Sequence, residues 1–215
     1  MRLRVGTRPS PLALRQVEEI RSLLPRIIFD IVPIRTTGDK DKTTPLVLRE
    51  NSDFFTREIE EALLSCEIDA AVHSAKDLEE NAPGDLIVAA ITKAVSRYDC
   101  LVSRGNLTLR ELPPHARVAT SSVNRRKALK EYRPDLVTED IRGNIHQRLA
   151  RVAQGDFDAV IVAHAAMLRL GLEASIAQVI PSAVIRPHPL QGRLAVQVRR
   201  DRKDLLEIFR GMHGE

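Results

Sequence analysis

Short apolar runs alternate with amphipathic, helix-length stretches from one end of the 215-residue chain to the other, a rhythm few folds accommodate. Parallel strands cannot be joined by tight turns and need crossovers, usually helical, so this alternation predicts βαβ units around an open sheet. Residues 3–6 predict a strand, after which Ser10-Pro11 opens a helix with a hydroxyl N-cap and proline at the first helical position. Residues 27–34 predict a second strand, ended by Thr37-Gly38-Asp39. A polar loop runs through Asn51-Ser52-Asp53, and residues 54–65 predict a helix with Phe55, Ile59 and Leu63 on one face. Residues 69–72 and 85–90 predict further strands.

The rhythm then restarts. Residues 100–103 and 117–120 predict strands, 123–131 a helix closed by Arg133-Pro134, and 144–154 another helix. A strand over 159–163 and a helix over 165–170, stopped by Gly171, complete this second unit. Pro187, Pro189 and Gly192 break the pattern, after which 194–198 predicts a strand and 202–212 a final helix. The expected division is 1–92 plus 193–215 as one domain and 98–186 as the other, with hinge crossovers at 93–97 and 187–192. Ligands of open α/β sheets sit at the carboxyl ends of strands, so a cleft between the lobes, lined by turns that follow strands, is predicted.

Composition removes several function classes. No apolar run approaches the roughly 20 residues that cross a bilayer, and Met1-Arg2-Leu3-Arg4-Val5-Gly6 enters a strand pattern directly, so no membrane association and a cytoplasmic location are expected. Cys66 and Cys100 have no metal-ligand spacing and the six histidines are scattered, so no metal site is expected. Aromatic residues make up 3% of the chain, too few for the stacking platforms of single-strand binders, and the basic residues are dispersed, so no nucleic-acid partner is expected. Within the net charge of +4, Arg outnumbers Lys several-fold. A guanidinium grips carboxylate or phosphate in bidentate fashion, and at a strand-to-helix turn that property bears on function.

Three such turns share one chemistry. Thr7-Arg8-Pro9-Ser10, Thr120-Ser121-Ser122-Val123-Asn124-Arg125-Arg126, and Arg142-Gly143-Asn144 with Arg148 one turn later each combine helix-start N–H groups with guanidinium. Any single one is read as an ordinary N-cap; together they describe a site for a small molecule bearing several carboxylates or phosphates. A fourth turn differs: Ala70-Ala71-Val72-His73-Ser74-Ala75-Lys76-Asp77 ends a buried strand with a hydroxyl, an ammonium and a carboxylate. By pattern alone, Asp77 is either a helix cap paired with Lys76 or a group that steadies a developing cation.

Several of these segments, in order, resemble the hydroxymethylbilane synthase (porphobilinogen deaminase) family. They are Thr7-Arg8-Pro9-Ser10-Pro11-Leu12-Ala13-Leu14, Ala71-Val72-His73-Ser74-Ala75-Lys76-Asp77, Thr120-Ser121-Ser122, Arg133-Pro134-Asp135-Leu136, Arg142-Gly143-Asn144, Leu168-Arg169-Leu170-Gly171 and Gln191-Gly192. The resemblance implies an α/β, two-lobed, type II periplasmic-binding-protein-like fold with mixed sheets and an interdomain cleft. It also implies a transferase of tetrapyrrole (heme) biosynthesis that joins four porphobilinogen units head to tail, losing ammonia at each step. Asp77 then matches the catalytic carboxylate, with Lys76 beside it. Arg8, Ser10, Gln16, Ser74, Thr120, Ser122, Arg125, Arg142, Arg148 and Gln191 match positions that bind substrate or cofactor carboxylates or orient the growing chain. The pocket is expected to bring Asp77 together with guanidinium groups of both lobes.

The resemblance also implies a dipyrromethane cofactor, tethered through a thioether to a cysteine in a third, C-terminal domain. The chain reads as a short form without that domain, so Cys100, with Cys66 second, is the alternative tether, and a partner supplying the domain is a further expectation for an otherwise monomeric protein. Residues 48–53 and Asn124 depart from the family pattern by removing positive charge. The rival reading is a diverged paralogue that binds or acts on another polycarboxylate.

Overall fold

The computed structural model describes residues 1–41, 52–78 and 83–214. In chain order its elements are β1 (Arg2–Thr7), α1 (Pro11–Leu23), β2 (Ile28–Pro33), α2 (Thr37–Lys40), α3 (Arg57–Leu64), β3 (Ala70–Ser74) and β4 (Leu86–Ile91). There follow β5 (Asp99–Ser103), β6 (Arg117–Ala119), α4 (Val123–Tyr132), β7 (Val137–Glu139), α5 (Ile145–Ala153), β8 (Ala159–Ala163), α6 (His164–Leu170) and β9 (Gln178–Ile180). The series closes with β10 (Leu194–Arg199) and α7 (Lys203–Arg210). Of the described residues, 1–41, 52–78, 83–95 and 192–214 form one compact unit, and 96–191 form the other.

The first unit is built on a sheet of order β2-β1-β3-β10-β4. β1 runs parallel to β2 and β3, whereas β10 runs antiparallel to β3 and β4. Both faces are covered, which is why β3 reads as a nearly continuous apolar run. Leu3, Val5, Ala70 and Val72 pack against Val17 and Ile20 of α1 and Leu205 and Phe209 of α7. On the opposite face Ala71 packs with Ile59 and Leu63 of α3 and with Ile68.

The second unit repeats the plan with the order β7-β6-β8-β5-β9. β6 is parallel to β7 and β8, while β5 is antiparallel to β8 and β9. Each sheet therefore contains three parallel strands, then one antiparallel strand, then an edge. Leu101, Val118, Ile161 and Leu129 fill one face, and Cys100, Val160, Val162, Val152 and Met167 the other.

Some elements differ from the sequence reading. β7 and β9 are three-residue edge strands with no readable period, defined by pairing to β6 and β5. Thr37-Gly38-Asp39 forms the short helix α2, capped reciprocally by Thr36 and Asp39, where a strand end was expected. The helix expected over 54–65 starts at Arg57; Phe55 lies instead in a 3-10 turn, Ser52–Phe55, on a different path from Ile59 and Leu63. The departure at 48–53 falls, for residues 48–51, outside the described residues. Among the described residues no helix is long and apolar enough to cross a membrane, and no group of three or more His, Cys, Asp or Glu is arranged to hold a metal ion.

Candidate functional site

In the first unit the carboxyl ends of the adjacent parallel strands β1 and β3 bring two of the predicted segments together. Thr7 is buried at the end of β1 and donates to the Val72 carbonyl of β3 (3.4 Å). Ser10 caps α1, its Oγ accepting from the Ala13 N–H (3.2 Å), with Pro11 at the first turn as the sequence predicts. Gln16, buried one turn further on, donates from Nε2 to Ser74 Oγ (3.0 Å) at the end of β3. The Ala75 N–H donates to the Arg193 carbonyl (3.0 Å), and Lys76 and Asp77 follow in a 3-10 turn. Both are half-buried. Among the described residues Asp77 makes no hydrogen bond or ion pair, so it is not a partner of Lys76.

Arg8 is held on two sides. Its Nε and Nη2 donate to Asp39 Oδ1 (3.1 and 2.5 Å), and its guanidinium lies 4.2 Å over the Phe55 ring. Phe55 comes this close because residue 38 is glycine; a Cβ there would fall 2.1 Å from Phe55 Cε1. Burial alone would raise the Asp39 carboxyl, but the Arg8 hydrogen bonds and charge, with the Thr36 N–H and hydroxyl, hold it below the usual carboxylate range. Among the described residues nothing accepts from Arg8 Nη1. His73, on the α3 side of β3, is buried, and its Nε2 has no hydrogen-bond partner among the described residues. Burial pushes its pKa down to about 4, with Gln197 opposing, so the ring is neutral at pH 7.

In the second unit the turns after β6 and β7 are stitched together. Ser122 caps α4, accepting from the Arg125 N–H (3.4 Å), and its own N–H donates to Thr120 Oγ1 (3.3 Å). Ser121 Oγ donates to the Ile141 carbonyl (2.7 Å), drawing in the half-buried Arg142. Arg148 Nε donates to the Gly143 carbonyl (2.8 Å), across a turn in which Gly143 has φ +103°. Asn144 caps α5 in a capping box with Gln147. Asn124 is exposed, whereas Arg126 donates to the Thr120 carbonyl (3.0 Å) and pairs with Asp140.

Arg125 and Gln191 are directed inward. Arg125 Nε and Nη2 donate to Asp99 (3.0 and 2.6 Å), and Nη1 donates to the Ile161 carbonyl (3.2 Å). Gln191 Nε2 donates to Asp99 Oδ1 and to the Arg97 carbonyl, both at 2.9 Å. The sequence reading missed Asp39 and Asp99. Each is an acid close to a strand end opposite a turn that carries Arg, a signal available only once strands are paired.

Neither cysteine suits a thioether tether. Cys100 is fully buried, and burial together with the Asp99 charge pushes its thiol up to about 12, so no thiolate forms at neutral pH. Cys66 is exposed but follows α3 at φ +61°, before β3 begins. A five-residue strand, roughly 16 Å, separates that end of β3 from Lys76 and Asp77.

Residues 3–207 match the family model described as porphobilinogen deaminase, dipyromethane cofactor binding domain. The chain is 44% identical over 214 residues to the porphobilinogen deaminase of Rubrobacter xylanophilus, covering 99% of this chain and 70% of that one. It is 41% identical over 211 residues to the Syntrophomonas wolfei porphobilinogen deaminase, covering 96% and 69% respectively. Among solved structures, the periplasmic VFT2 domain of Bordetella pertussis BvgS superposes with a TM-score of 0.52 at 16% identity, covering 98% of this chain and 85% of that one. A sulfate-bound mutant regulatory domain of OxyR2 from Vibrio vulnificus gives 0.53 at 14% identity, covering 99% and 96%. At such identities these likenesses speak to the fold alone, an α/β architecture of the type II periplasmic-binding-protein-like kind.

Proposed function

The chain belongs to the porphobilinogen deaminase family, and from that membership we infer that it is a transferase of tetrapyrrole biosynthesis, condensing porphobilinogen units into hydroxymethylbilane with loss of ammonia. The rival reading, a paralogue acting on another polycarboxylate, is not favoured by the comparisons.

The observation that carries the site assignment is Asp77, a half-buried carboxylate with no partner among the described residues, next to Lys76 in the turn that follows β3, the strand beside β1, whose end Arg8 follows. In the reaction the aminomethyl C–N bond breaks and ammonia leaves with the bonding pair. The azafulvene cation that remains is attacked by the free α-carbon of a second pyrrole, which forms the new C–C bond and gives up its proton. Asp77 accepts from the pyrrole N–H and stabilises the cation by charge, in a partly desolvated setting where such an interaction is worth more than in water.

Each pyrrole carries an acetate and a propionate, which the basic and hydroxyl groups receive. We assign Arg8, through Nη1, with Lys76, Ser10 and Ser74, to the carboxylates of the pyrrole at Asp77, and Gln16 to orienting Ser74. Thr120, Ser122, Arg142 and Arg148 take carboxylates of the growing chain, with Arg125 and Gln191 behind them. The donors beside Asp77 in the first unit suit the carboxylates of a dipyrromethane, whose two pyrrole N–H groups Asp77 would receive; when bound, it supplies the free α-carbon from which the chain is extended. The placement of Cys66 and Cys100 argues against a thioether to either.

Purified protein supplied with porphobilinogen and preassembled primer is expected to yield a product that oxidises to uroporphyrin. A folded wild type that forms none under these conditions overturns the assignment.

A further inference from the structure

We infer that Asp99 is a positioning residue for this reaction, fixing Arg125 and Gln191 so that the second unit presents them in one arrangement. The inference rests on the proposed function, because Arg125 and Gln191 matter to turnover only if the family reading of the site holds.

Asp99 is 3% exposed and opens β5, opposite Ala163 at the carboxyl end of β8. Its carboxylate therefore sits at the sheet edge where the β6 and β8 turns emerge. Three segments distant in sequence converge on it: its own strand, α4 through Arg125, and residue 191 at the end of the unit. The grip on Nε and Nη2 fixes the plane of the Arg125 guanidinium, and the Ile161 carbonyl fixes its rotation. A guanidinium has five N–H donors, so the groups left on Nη1 and Nη2 point in a direction that Asp99 determines. The same carboxylate holds the Gln191 amide, whose nitrogen also bonds the Arg97 carbonyl, so the segments entering and leaving the unit are tied to one another.

A buried charge of this kind is costly unless every partner is in place, and removing a partner disturbs the others. A purely structural cross-link and a positioning residue differ in what they do to the folded enzyme. The first changes stability and leaves the kinetics of the folded fraction alone. The second changes the ratio of KM to kcat.

The test is steady-state turnover of porphobilinogen by Asp99→Asn, Arg125→Gln and the double variant, measured well below each melting temperature. Asp99→Asn is expected to raise KM on the order of ten- to a hundredfold, the equivalent of one charge-assisted hydrogen bond, with a smaller change in kcat. In the Arg125→Gln background the same change is expected to add little, because both act through one guanidinium. Asp99→Glu, which keeps the charge on a longer arm, is expected to give an intermediate KM. An unchanged KM in folded Asp99→Asn, or full additivity in the double variant, overturns the inference. If Asp99→Asn does not fold, a wild-type KM in Asp99→Glu overturns it equally. An inactive wild-type control sinks the functional reading and this inference with it; an active wild type with unaltered variants sinks this inference alone.

Discussion

The Arg8 and Arg125 turns are written in the same sequence chemistry, a strand end, hydroxyls, an arginine and a helix start, yet the fold uses them differently. Arg8 is 29% exposed, braced by Asp39 and Phe55, with Nη1 left over. The Arg125 side chain is 13% exposed, with all three nitrogens engaged by Asp99 and the Ile161 carbonyl. One arginine is a presented group with internal bracing, and the other is an internal group with a presented edge. Sequence spacing reports that a guanidinium lies at a turn; how much of it remains for a ligand depends on which acid the tertiary fold brings beside it.

The contrast is tested first on stability. Arg125→Ala leaves the Asp99 carboxylate buried without its counter-charge, bonded to the Gln191 amide, and is expected to destabilise the second unit by about 3–5 kcal/mol in urea unfolding. A loss as small as that of Arg8→Ala would erase the distinction between the two turns. Next in size is the third kind of turn, in which the acid has no described partner. Asp77→Ala is expected to lower kcat by roughly 10²–10³ while stability changes by less than about 0.5 kcal/mol. A large fall in melting temperature would instead make Asp77 a structural group.

A third prediction contrasts the buried polar groups of the two units: Asp99, ion-paired with Arg125 in one, and a neutral His73 in the other. The folded-state pKa of His73 is lowered from 6.5 to about 4, so the unfolded chain takes up a proton that the native protein refuses. Its contribution is therefore complete above pH 6.5 and is lost as pH falls from 6.5 to 4, by up to about 3 kcal/mol. Melting temperatures followed over that window should drop less steeply in His73→Gln than in wild type; parallel curves would refute the assignment. The smallest effect is expected from Arg8→Lys, which keeps the charge and loses the fork. It should raise KM about tenfold and cost less than about 1 kcal/mol of stability, as seen by comparing turnover with thermal unfolding.

Features governed by neighbouring residues were legible in the sequence. Ser10, Ser122 and Asn144 act as N-caps because the groups they satisfy lie three residues away. The apolar runs that became β3, β8 and β10 were legible because sheets covered on both faces leave nearly continuous hydrophobic stretches. Asp39 and Asp99 were not, since their guanidinium partners lie 31 and 26 residues away and nothing local marks an acid as a brace. The strands β7 and β9 escaped for a related reason, as three residues carry no period and only their neighbours in the sheet make them strands. Phe55 shows the opposite error: helical spacing placed it with Ile59 and Leu63, but the space beside Gly38 took it toward Arg8.

The position of β10 between β3 and β4 has a consequence for biosynthesis. On the ribosome, β3 and β4 emerge long before Leu194–Arg199, the strand that separates them, and all of residues 96–191 must be translated in between. Until then the nascent first unit carries two incomplete sheet borders rich in Val, Ile and Ala, the kind of surface that chaperones bind and that seeds aggregation. The inserted unit draws its sheet from one uninterrupted stretch and can mature first, so a translational pause before residue 192 should accumulate a half-native, protease-sensitive intermediate.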